Sequence, residues 1–140
     1  MNKIVDRTNE ILDILQEELK DIEPVIYFDK SYDPMIYIKT LNPTGFPLIL
    51  VSYKSSLPND SKLYPGVCAY EIYFVDIKTG SEELFGLMQS VYEIFKHKIV
   101  QTRINGEIVA GHKLIYQSQG YHAESNEHVI YVQKYNLLIP

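Results

Sequence analysis

The sequence predicts a single α+β domain, residues 1–140, with a mainly antiparallel sheet, an N-terminal amphipathic helix and a second helix packed on one face. Residues 67–78 form a long apolar run that leads directly into a helical pattern at 79–99. The other β-type runs are grouped and do not alternate with helices, as a doubly wound parallel sheet would require. A chain of 140 residues can bury roughly two thirds of its unfolded surface, enough for a core without a metal or disulfide.

Residues 3–22 have the periodicity of an amphipathic helix that ends before Pro24. We expect its apolar stripe to pack on the sheet. The stripe consists of Ile4, Thr8, Ile11, Leu12, Leu15, Leu19 and Ile22.

Residues 24–30 and 34–41 are rich in β-branched and aromatic side chains and are separated by hairpin spacing. We expect them to pair as strands, and residues 48–53 to form a third strand after a turn rich in proline and glycine. Residues 54–65 are polar and contain several breakers, which predicts a long loop that could contact a partner.

Residues 67–78 are apolar on both faces, which is typical of a strand deep in a sheet. Thr79 and Glu82 have capping-box spacing, so we expect a helix to follow at once. Its predicted apolar face consists of Leu84, Leu87, Met88, Val91, Tyr92, Phe95 and Ile99.

Asn105 and Gly106 lie between two β-type runs, a sequence typical of a type I′ turn. It predicts a hairpin over residues 102–117, whose second strand continues to about Gln119. We expect a second loop at residues 118–127 and then a final strand from His128 almost to the end of the sequence.

The composition argues against several classes of function. A net charge of -5 with scattered basic residues disfavours nucleic-acid binding. No apolar run approaches the roughly 18 residues that span a bilayer, and the start lacks a signal-peptide pattern, so we expect a soluble, cytoplasmic protein without membrane contact. The single Cys68 fits a core residue in a reducing compartment. Twelve tyrosines and no tryptophan fit a sheet-rich protein with contact surfaces.

Three histidines, His112, His122 and His128, together with Glu124, are weak candidates for a metal site. Their spacing matches no known ligand motif, and solvated histidines at strand ends are the simpler interpretation. We therefore expect no metal site.

Asp29, Asp33 and Asp76 could supply paired carboxylates for acid and base catalysis. Asp is also favoured in turns and at helix starts, which explains all three without catalysis. No phosphate-binding loop, nucleophile elbow, CxxC or HExxH motif occurs, so we expect no cofactor and no enzymatic activity.

Glu71 places a carboxylate in the middle of an apolar strand face. Such a charge must be paired, exposed or at a subunit contact. Lys39, Lys113 and Lys134 are the candidates to pair with it across the sheet.

The order of the elements, with GSEELFGLMQSVYEIF after the central strand and EHVIYVQKYNLLI near the end, resembles the tail terminator and tail completion proteins of long-tailed bacteriophages and prophages. The resemblance spans nearly the whole chain and lies in the order, size and pattern of the elements. It implies a structural virion-assembly protein, a homo-oligomeric ring, usually a hexamer, that terminates the tail tube and joins it to the head. The implied partners are further copies, the tail tube protein and the head-tail connector proteins. The implied locations are the host cytoplasm during assembly and then the virion tail.

Ring subunits commonly join through sheet edges or strand faces. We expect the 102–117 hairpin and the final strand to form that contact, and residues 54–65 and 118–127 to touch the tube or connector. The candidate contact residues are Glu71, Lys54, Asn59, Asp60, Lys62, Arg103, Tyr116, Tyr121 and Glu124.

Two other classes of function fit the same pattern. One is a small α+β binding or adaptor domain, which a gene neighbourhood without capsid and tail genes would favour. The other is a small metal-dependent enzyme around the three histidines, which metal in the purified protein would favour.

Overall fold

A computed structural model describes residues 3–19, 25–27, 33–41, 47–58, 65–78, 81–104 and 107–138. These ranges contain α1 (Lys3–Glu18), β1 (Val25–Tyr27), α2 (Pro34–Leu41), β2 (Leu48–Pro58), β3 (Pro65–Ile77), α3 (Ser81–His97), β4 (Ile99–Ile104), β5 (Glu107–Glu124) and β6 (His128–Leu138). Among these helices, none has both the length and the apolar character needed to cross a membrane.

The strands form one six-stranded sheet in the order β1-β2-β3-β6-β5-β4. The short β1 pairs in parallel with β2, and every other neighbouring pair is antiparallel. This arrangement confirms the predicted α+β fold with a mainly antiparallel sheet. Ile104, the last residue of β4, pairs with Glu107, the first residue of β5. This register is the one expected for the predicted two-residue turn at Asn105 and Gly106.

Both faces of β3 are buried, as its sequence predicts. Tyr70, Ile72 and Phe74 belong to a core cluster that includes residues of α1 and α3. Tyr73 and Val75 alternate with them and join a second cluster that includes residues of α2. The sheet is therefore covered by α1 and α3 on one face and by α2 on the other.

Residues 34–41 form helix α2, so the predicted strand and hairpin at this position are wrong. Asp33 caps the helix, because its Oδ1 accepts a hydrogen bond of 2.8 Å from the N–H of Met35. Pro34 stands at the first helical position, where its missing N–H has no cost. Burial of Pro34 and Ile38, one turn apart, gives the helix its inner face, while Ile36 is exposed. The capping signal outweighs the β-branched composition.

The described parts of the two predicted loops are mainly strand. Residues 54–58 continue β2 through a β-bulge at Lys54, and residues 59–64 lie outside the described ranges. Residues 118–124 continue β5 through bulges at Gln117 and His122. Only residues 125–127 remain as a turn, in which Ser125 Oγ accepts hydrogen bonds from the N–H groups of Glu127 and His128 at 3.3 and 3.1 Å. Each bulge accommodates one extra residue in the ladder, so the strands continue through these polar segments.

The two long helices pack as expected. In α1, Thr8, Ile11 and Leu15 are buried, and the Thr8 hydroxyl lies 3.2 Å from the hydroxyl of Tyr70 on β3. In α3, the buried residues are Leu84, Leu87, Met88, Val91 and Phe95. Ile99 is an exception, since α3 ends at His97 and Ile99 begins β4 with its side chain 51% exposed. The predicted capping box rests on Thr79, which lies outside the described residues.

A buried polar bridge joins β6, β5 and α3. The fully buried Gln133 donates from Nε2 to the carbonyl oxygen of Met88 at 2.8 Å and to Oε1 of Gln119 at 3.0 Å. Its Oε1 accepts a hydrogen bond of 2.9 Å from the hydroxyl of Tyr135. Buried polar groups are tolerated when each has a partner, and such a bridge fixes the position of α3 on the sheet.

We predict that Gln133→Leu destabilises the fold by about 1–3 kcal/mol, because the buried Tyr135 hydroxyl loses its acceptor. Urea denaturation followed by circular dichroism measures the change. Adding Tyr135→Phe to the same variant should recover much of the loss, since both polar partners are then replaced by apolar groups. Equal stability of Gln133→Leu and the wild type would show that the bridge contributes nothing.

The buried carboxyl group of Asp76 makes the stability of the fold depend on pH. Only 4% of the residue is exposed, and this burial raises its pKa above the ordinary 3.8, although the N–H of Ile77 donates to Oδ1 at 2.7 Å. The folded protein therefore holds the proton more tightly than the unfolded chain. The resulting stabilisation is complete below pH 3.8 and is lost as the pH rises through the folded-state pKa.

We expect Asp76→Asn to raise the melting temperature at pH 7, because the variant removes a buried charge and keeps an acceptor for Ile77. The gain should shrink as the pH falls toward 3.8. Melting curves across this pH range test it, with the exposed Asp13→Asn on α1 as the matched control. A gain that does not depend on pH would contradict the assignment.

Candidate assembly surface

Part of β5 and the C-terminal half of α3 form a groove on the face of the sheet that α1 and α3 cover. Its volume is about 360 Å³. We name it the α3–β5 groove, and it is lined by Tyr92, Phe95 and Lys96 of α3, by Lys113, Leu114, Ile115 and Tyr116 of β5, and by Tyr135 of β6. Phe95, Leu114 and Tyr135 are buried at its base, while Ile115 and Tyr116 are 40% and 37% exposed.

Edge-to-face aromatic pairs build the groove. The ring centroids of Tyr92 and Tyr116 are 5.2 Å apart, and those of Tyr116 and Tyr135 are 5.8 Å apart. Phe95 packs against Tyr135 at 5.4 Å and links the groove to the core. Burial raises the pKa of Tyr135, so its phenol stays neutral and donates to Gln133. Rings that pack in this way form a rigid apolar surface with polar tips.

One exposed cation, Lys96 near the end of α3, stands at the groove. Lys113 alternates with Leu114 and Tyr116 along β5, so it lies on the opposite face of the sheet from the aromatic rings. No carboxylate lies among the described residues that line the groove.

A second aromatic cluster lies at the other end of β5. Phe85 of α3 packs against Tyr131 of β6 at 4.9 Å between ring centroids, and Tyr131 packs against Tyr121 of β5 at 6.1 Å. Phe85 is 48% exposed and Tyr121 is 56% exposed. Exposed aromatic residues in contact with one another are typical of interaction surfaces.

An ion pair stands beside this cluster. The ammonium of Lys78, just after β3, lies 2.6 Å from Oε2 of Glu124, and the Tyr121 hydroxyl lies 3.3 Å from Oε1. The hydrogen bond from Lys78 lowers the pKa of Glu124 below its ordinary value. Desolvation, followed by the charge of Glu124, raises the pKa of Tyr121. The pair ties the end of β5 to the end of β3.

Polar residues on the opposite face surround Tyr73. The buried Tyr73 hydroxyl donates to Oε1 of Glu71 at 2.9 Å, and the Lys54 ammonium lies 5.2 Å from the Tyr73 ring centroid. His122 packs edge-to-face on the same ring at 5.1 Å, and its Nε2 lies 3.8 Å from Oδ2 of Asp33. Desolvation and the bond to Glu71 raise the pKa of Tyr73. The contacts connect β2, β3, β5 and the start of α2.

The structure separates the predicted contact residues into two groups. Tyr116, Tyr121 and Glu124 lie along β5 at positions that pair with Tyr135, Tyr131 and Val129 of β6. Lys54 and Glu71 lie around Tyr73 on the opposite face. Asn59, Asp60 and Lys62 fall outside the described residues, and for Arg103 only its place in β4 is described.

The carboxylate of Glu71, in the middle of β3, has a hydrogen-bond partner that the sequence did not indicate. Glu71 accepts a hydrogen bond from Tyr73 two residues away, on the same strand face. Lys134 stands directly opposite Glu71 on β6. Lys113 lies on β5, which is separated from β3 by β6, so it is not a cross-strand neighbour. The position of Lys39 is in α2.

The three histidines do not share a site. His112 and His122 are ten residues apart on β5, which corresponds to on the order of 30 Å along a strand. Within the described ranges, no group of three histidine, cysteine or acidic side chains is close enough to hold a metal ion. A metal centre that uses His112, His122 and His128 together is therefore wrong.

The proposed carboxylate pairs are also separated. Asp33 caps α2 on one face of the sheet. Asp76 alternates with Tyr73 and Val75 along β3 and therefore points to the other face. Asp29 lies outside the described residues. Asp33 and Asp76 cannot act on one substrate from opposite sides of a packed sheet.

Phe85, Tyr92 and Tyr131 belong to the surface but were not singled out as contact residues by the sequence. For Phe85 a signal exists, since it stands beside the buried Leu84 and outside the apolar stripe of α3. A single exposed apolar residue is common on protein surfaces, so this signal gains meaning only with the contact between Phe85 and Tyr131 that the structure shows. Tyr131 has no such signal, because it alternates normally within a strand that is largely buried.

The fold and this surface define a small α+β protein whose described part carries exposed aromatic surfaces beside its longest strand. No protein-family model matches the sequence, and no curated protein matches it. Among solved structures, the chain is similar to the bacteriophage SPP1 gp17 protein, with 14% sequence identity and a TM-score of 0.50. The match covers 99% of this chain and 93% of that one. The two proteins share a fold across nearly their whole length.

We predict that Lys78→Ala raises the pKa of Glu124 toward the ordinary 4.5, because the ammonium no longer stabilises the carboxylate. A carbon-detected NMR titration of the Glu124 side chain measures it. The exposed Lys39→Ala on α2 serves as a control and should leave the titration of Glu124 unchanged. An unchanged midpoint in Lys78→Ala would show that the ion pair does not persist in solution.

Proposed function

We propose that this protein is a structural assembly protein of a phage or prophage tail, which forms a ring that terminates the tail tube and joins it to the head connector. The observation that carries the proposal is the likeness of fold to a bacteriophage protein over 99% of the chain. The order and size of the elements, which resemble tail terminator and tail completion proteins, support the same proposal.

Features of the surface fit an assembly role better than a catalytic one. The exposed aromatic residues Phe85, Tyr116 and Tyr121 lie beside one strand and offer contact area without a reactive group. The described titratable side chains around Tyr73 contact one another and connect β2, β3 and β5, which is a structural role. In this proposal the partners are further copies, the tail tube protein and the connector, and the protein passes from the host cytoplasm into the virion tail.

The first test is the mass of the purified protein in solution. We expect an oligomer larger than a dimer by sedimentation velocity and a closed ring with cyclic symmetry in negatively stained electron micrographs. A second test adds the protein to tubes assembled from a phage tail tube protein, where rings should appear at the tube ends. A protein that stays monomeric at every concentration, alone and with the tubes, would contradict the proposal.

A further inference from the structure

We propose that the open edge of β5 pairs with the same edge of a second copy of this chain, in an antiparallel ladder of residues 116–124 centred on Gly120. The inference goes beyond the proposed function, because the two copies meet through one shared surface around a twofold axis. Such a contact closes as a pair. It is therefore separate from the contacts that would build a ring.

The edge of β5 that faces away from β6 is open over residues 114–124. The neighbouring strand β4 begins at Ile99, which pairs with Lys113, so β4 covers only residues 107–113 of β5. Residues 114–124 pair with β6 on one side, and no described strand pairs with them on the other. Most of these residues are exposed: 115–119, 121 and 124. The outward backbone N–H and C=O groups of such an edge are available to a further strand.

The side chains of this edge provide little protection against strand pairing. Residues 114–124 contain no lysine, arginine or proline, and their one carboxylate, Glu124, lies at the end and is paired with Lys78. Natural edge strands are commonly protected by charges, prolines or bulges. Two bulges are present, at Gln117 and His122, so the positions in which they leave the side chains decide which pairing is possible.

The pairing with β6 shows which face of the sheet each side chain of this edge occupies. Four residues lie on the face that α1 and α3 cover, because their β6 partners contact the core or the helix there: Tyr116, Gln119, Tyr121 and Glu124. Ser118, Gly120 and His122 lie on the α2 face. Gly120 stands opposite Val132 of the second core cluster, Ser118 is two residues from Gly120, and His122 packs on Tyr73.

Residues that stand opposite each other in a ladder share a face of the sheet. In a ladder centred on Gly120, the opposed residues of the two copies are Tyr116 with Glu124, Ser118 with His122, and Gln119 with Tyr121. Both members of each pair share a face, because one bulge lies on either side of Gly120. The ladder ends at Tyr116, three residues from Lys113, so β4 does not block the second copy.

Neighbouring registers break this match. Centred on Gln119, the ladder would place Tyr116 opposite His122, which lies on the other face. Centred on Tyr121, it would place Ser118 opposite Glu124, again on the other face. A centre halfway between residues would place Gly120 opposite Gln119 or Tyr121, and these also lie on the other face. The two bulges therefore select the register centred on Gly120.

The glycine at this centre is not explained by the fold of one copy. A Cβ at Gly120 would meet no heavy atom within 4 Å in the described structure, and its φ lies outside the left-handed region. Glycine inside a strand weakens it and often marks a place where another backbone approaches closely. In the proposed ladder Gly120 faces Gly120 of the second copy, so the two backbones meet there without side chains between them.

Side chains beside the edge suit the same contact. Tyr121 of each copy stands opposite Gln119 of the other, so the two Tyr121 rings become diagonal neighbours within reach of each other. Phe85 and Tyr116, 48% and 37% exposed, lie on the same face of the sheet. The Tyr116 hydroxyl can donate to the Glu124 carboxylate opposite it. No two charges of the same sign oppose each other in this register.

Cysteine substitution tests the register. In Gly120→Cys the thiols of two copies stand opposite each other, with Cα atoms about 4.5–5.5 Å apart, which suits a disulfide. Oxidised glutathione should convert most of this variant into a linked dimer on a non-reducing gel. Ser118→Cys is the matched control on the same edge and face. Its thiols would be four residues, roughly 13 Å, apart along the ladder, so it should link at least about tenfold less. The native Cys68 is buried.

A lysine at the centre tests the contact without a covalent link. In Gly120→Lys the new side chain meets no obstacle within one copy, but two ammonium groups face each other at the twofold axis. The protein concentration at half-dimerisation should rise at least about tenfold, the equivalent of about 1.4 kcal/mol. Sedimentation velocity measures it, and circular dichroism confirms folding. Ile36→Lys adds the same charge at an exposed position on α2 and should dimerise like the wild type.

Two results would overturn the inference: Gly120→Cys that links no more than Ser118→Cys, or Gly120→Lys that dimerises like the wild type. The proposed function would survive both results if rings still form at the ends of tail tubes. A dimer that never forms rings would support the inference and contradict the proposed function. A wild type that is monomeric at every concentration would contradict both.

Discussion

The burial of β3 on both faces is the constraint on which the rest of the structure depends. Its alternating side chains enter two different cores, with Ile72 and Phe74 toward α1 and α3 and with Tyr73 and Val75 toward α2. A strand in this position cannot shift by one residue without exchanging the two sets. The registers of β2 and β6 on either side follow from it, and so does the position of every helix.

The two faces of the sheet satisfy their polar groups in different ways. On the side of α1 and α3, Gln133 bridges β6, β5 and α3 in the dry interior. On the side of α2, the network around Tyr73 ties a carboxylate, a lysine and a histidine to one phenol. Both networks hold β5 against the sheet by side chains as well as by its ladder. The long β5 is therefore held in a fixed position, and so are the exposed aromatic residues beside it.

An assembly surface on such a strand has a physical advantage over one on a loop. Rings fixed by edge-to-face packing lose little freedom when a partner binds, so less of the binding energy is spent on ordering them. Both aromatic clusters beside β5 are built in this way. The chain shares its fold with a bacteriophage protein at 14% sequence identity.

The sequence by itself determined the α+β class, the amphipathic helices α1 and α3 and the two-sided burial of β3, because the periodicity of apolar residues is a local property of the chain. It also singled out Tyr116, Tyr121 and Glu124 as contact residues; all three are exposed along β5, and their role in contacts stays a prediction. Residues 34–41 form a helix because a local cap by Asp33 and a tertiary position over the second core together outweigh β-type composition. Only tertiary pairing decided that residues 54–58 and 118–124 of the two predicted loops are strand, because bulges let polar residues continue a ladder. The partner of Glu71, the separation of the histidines and the groove between α3 and β5 depend on contacts between distant elements, which no local pattern encodes.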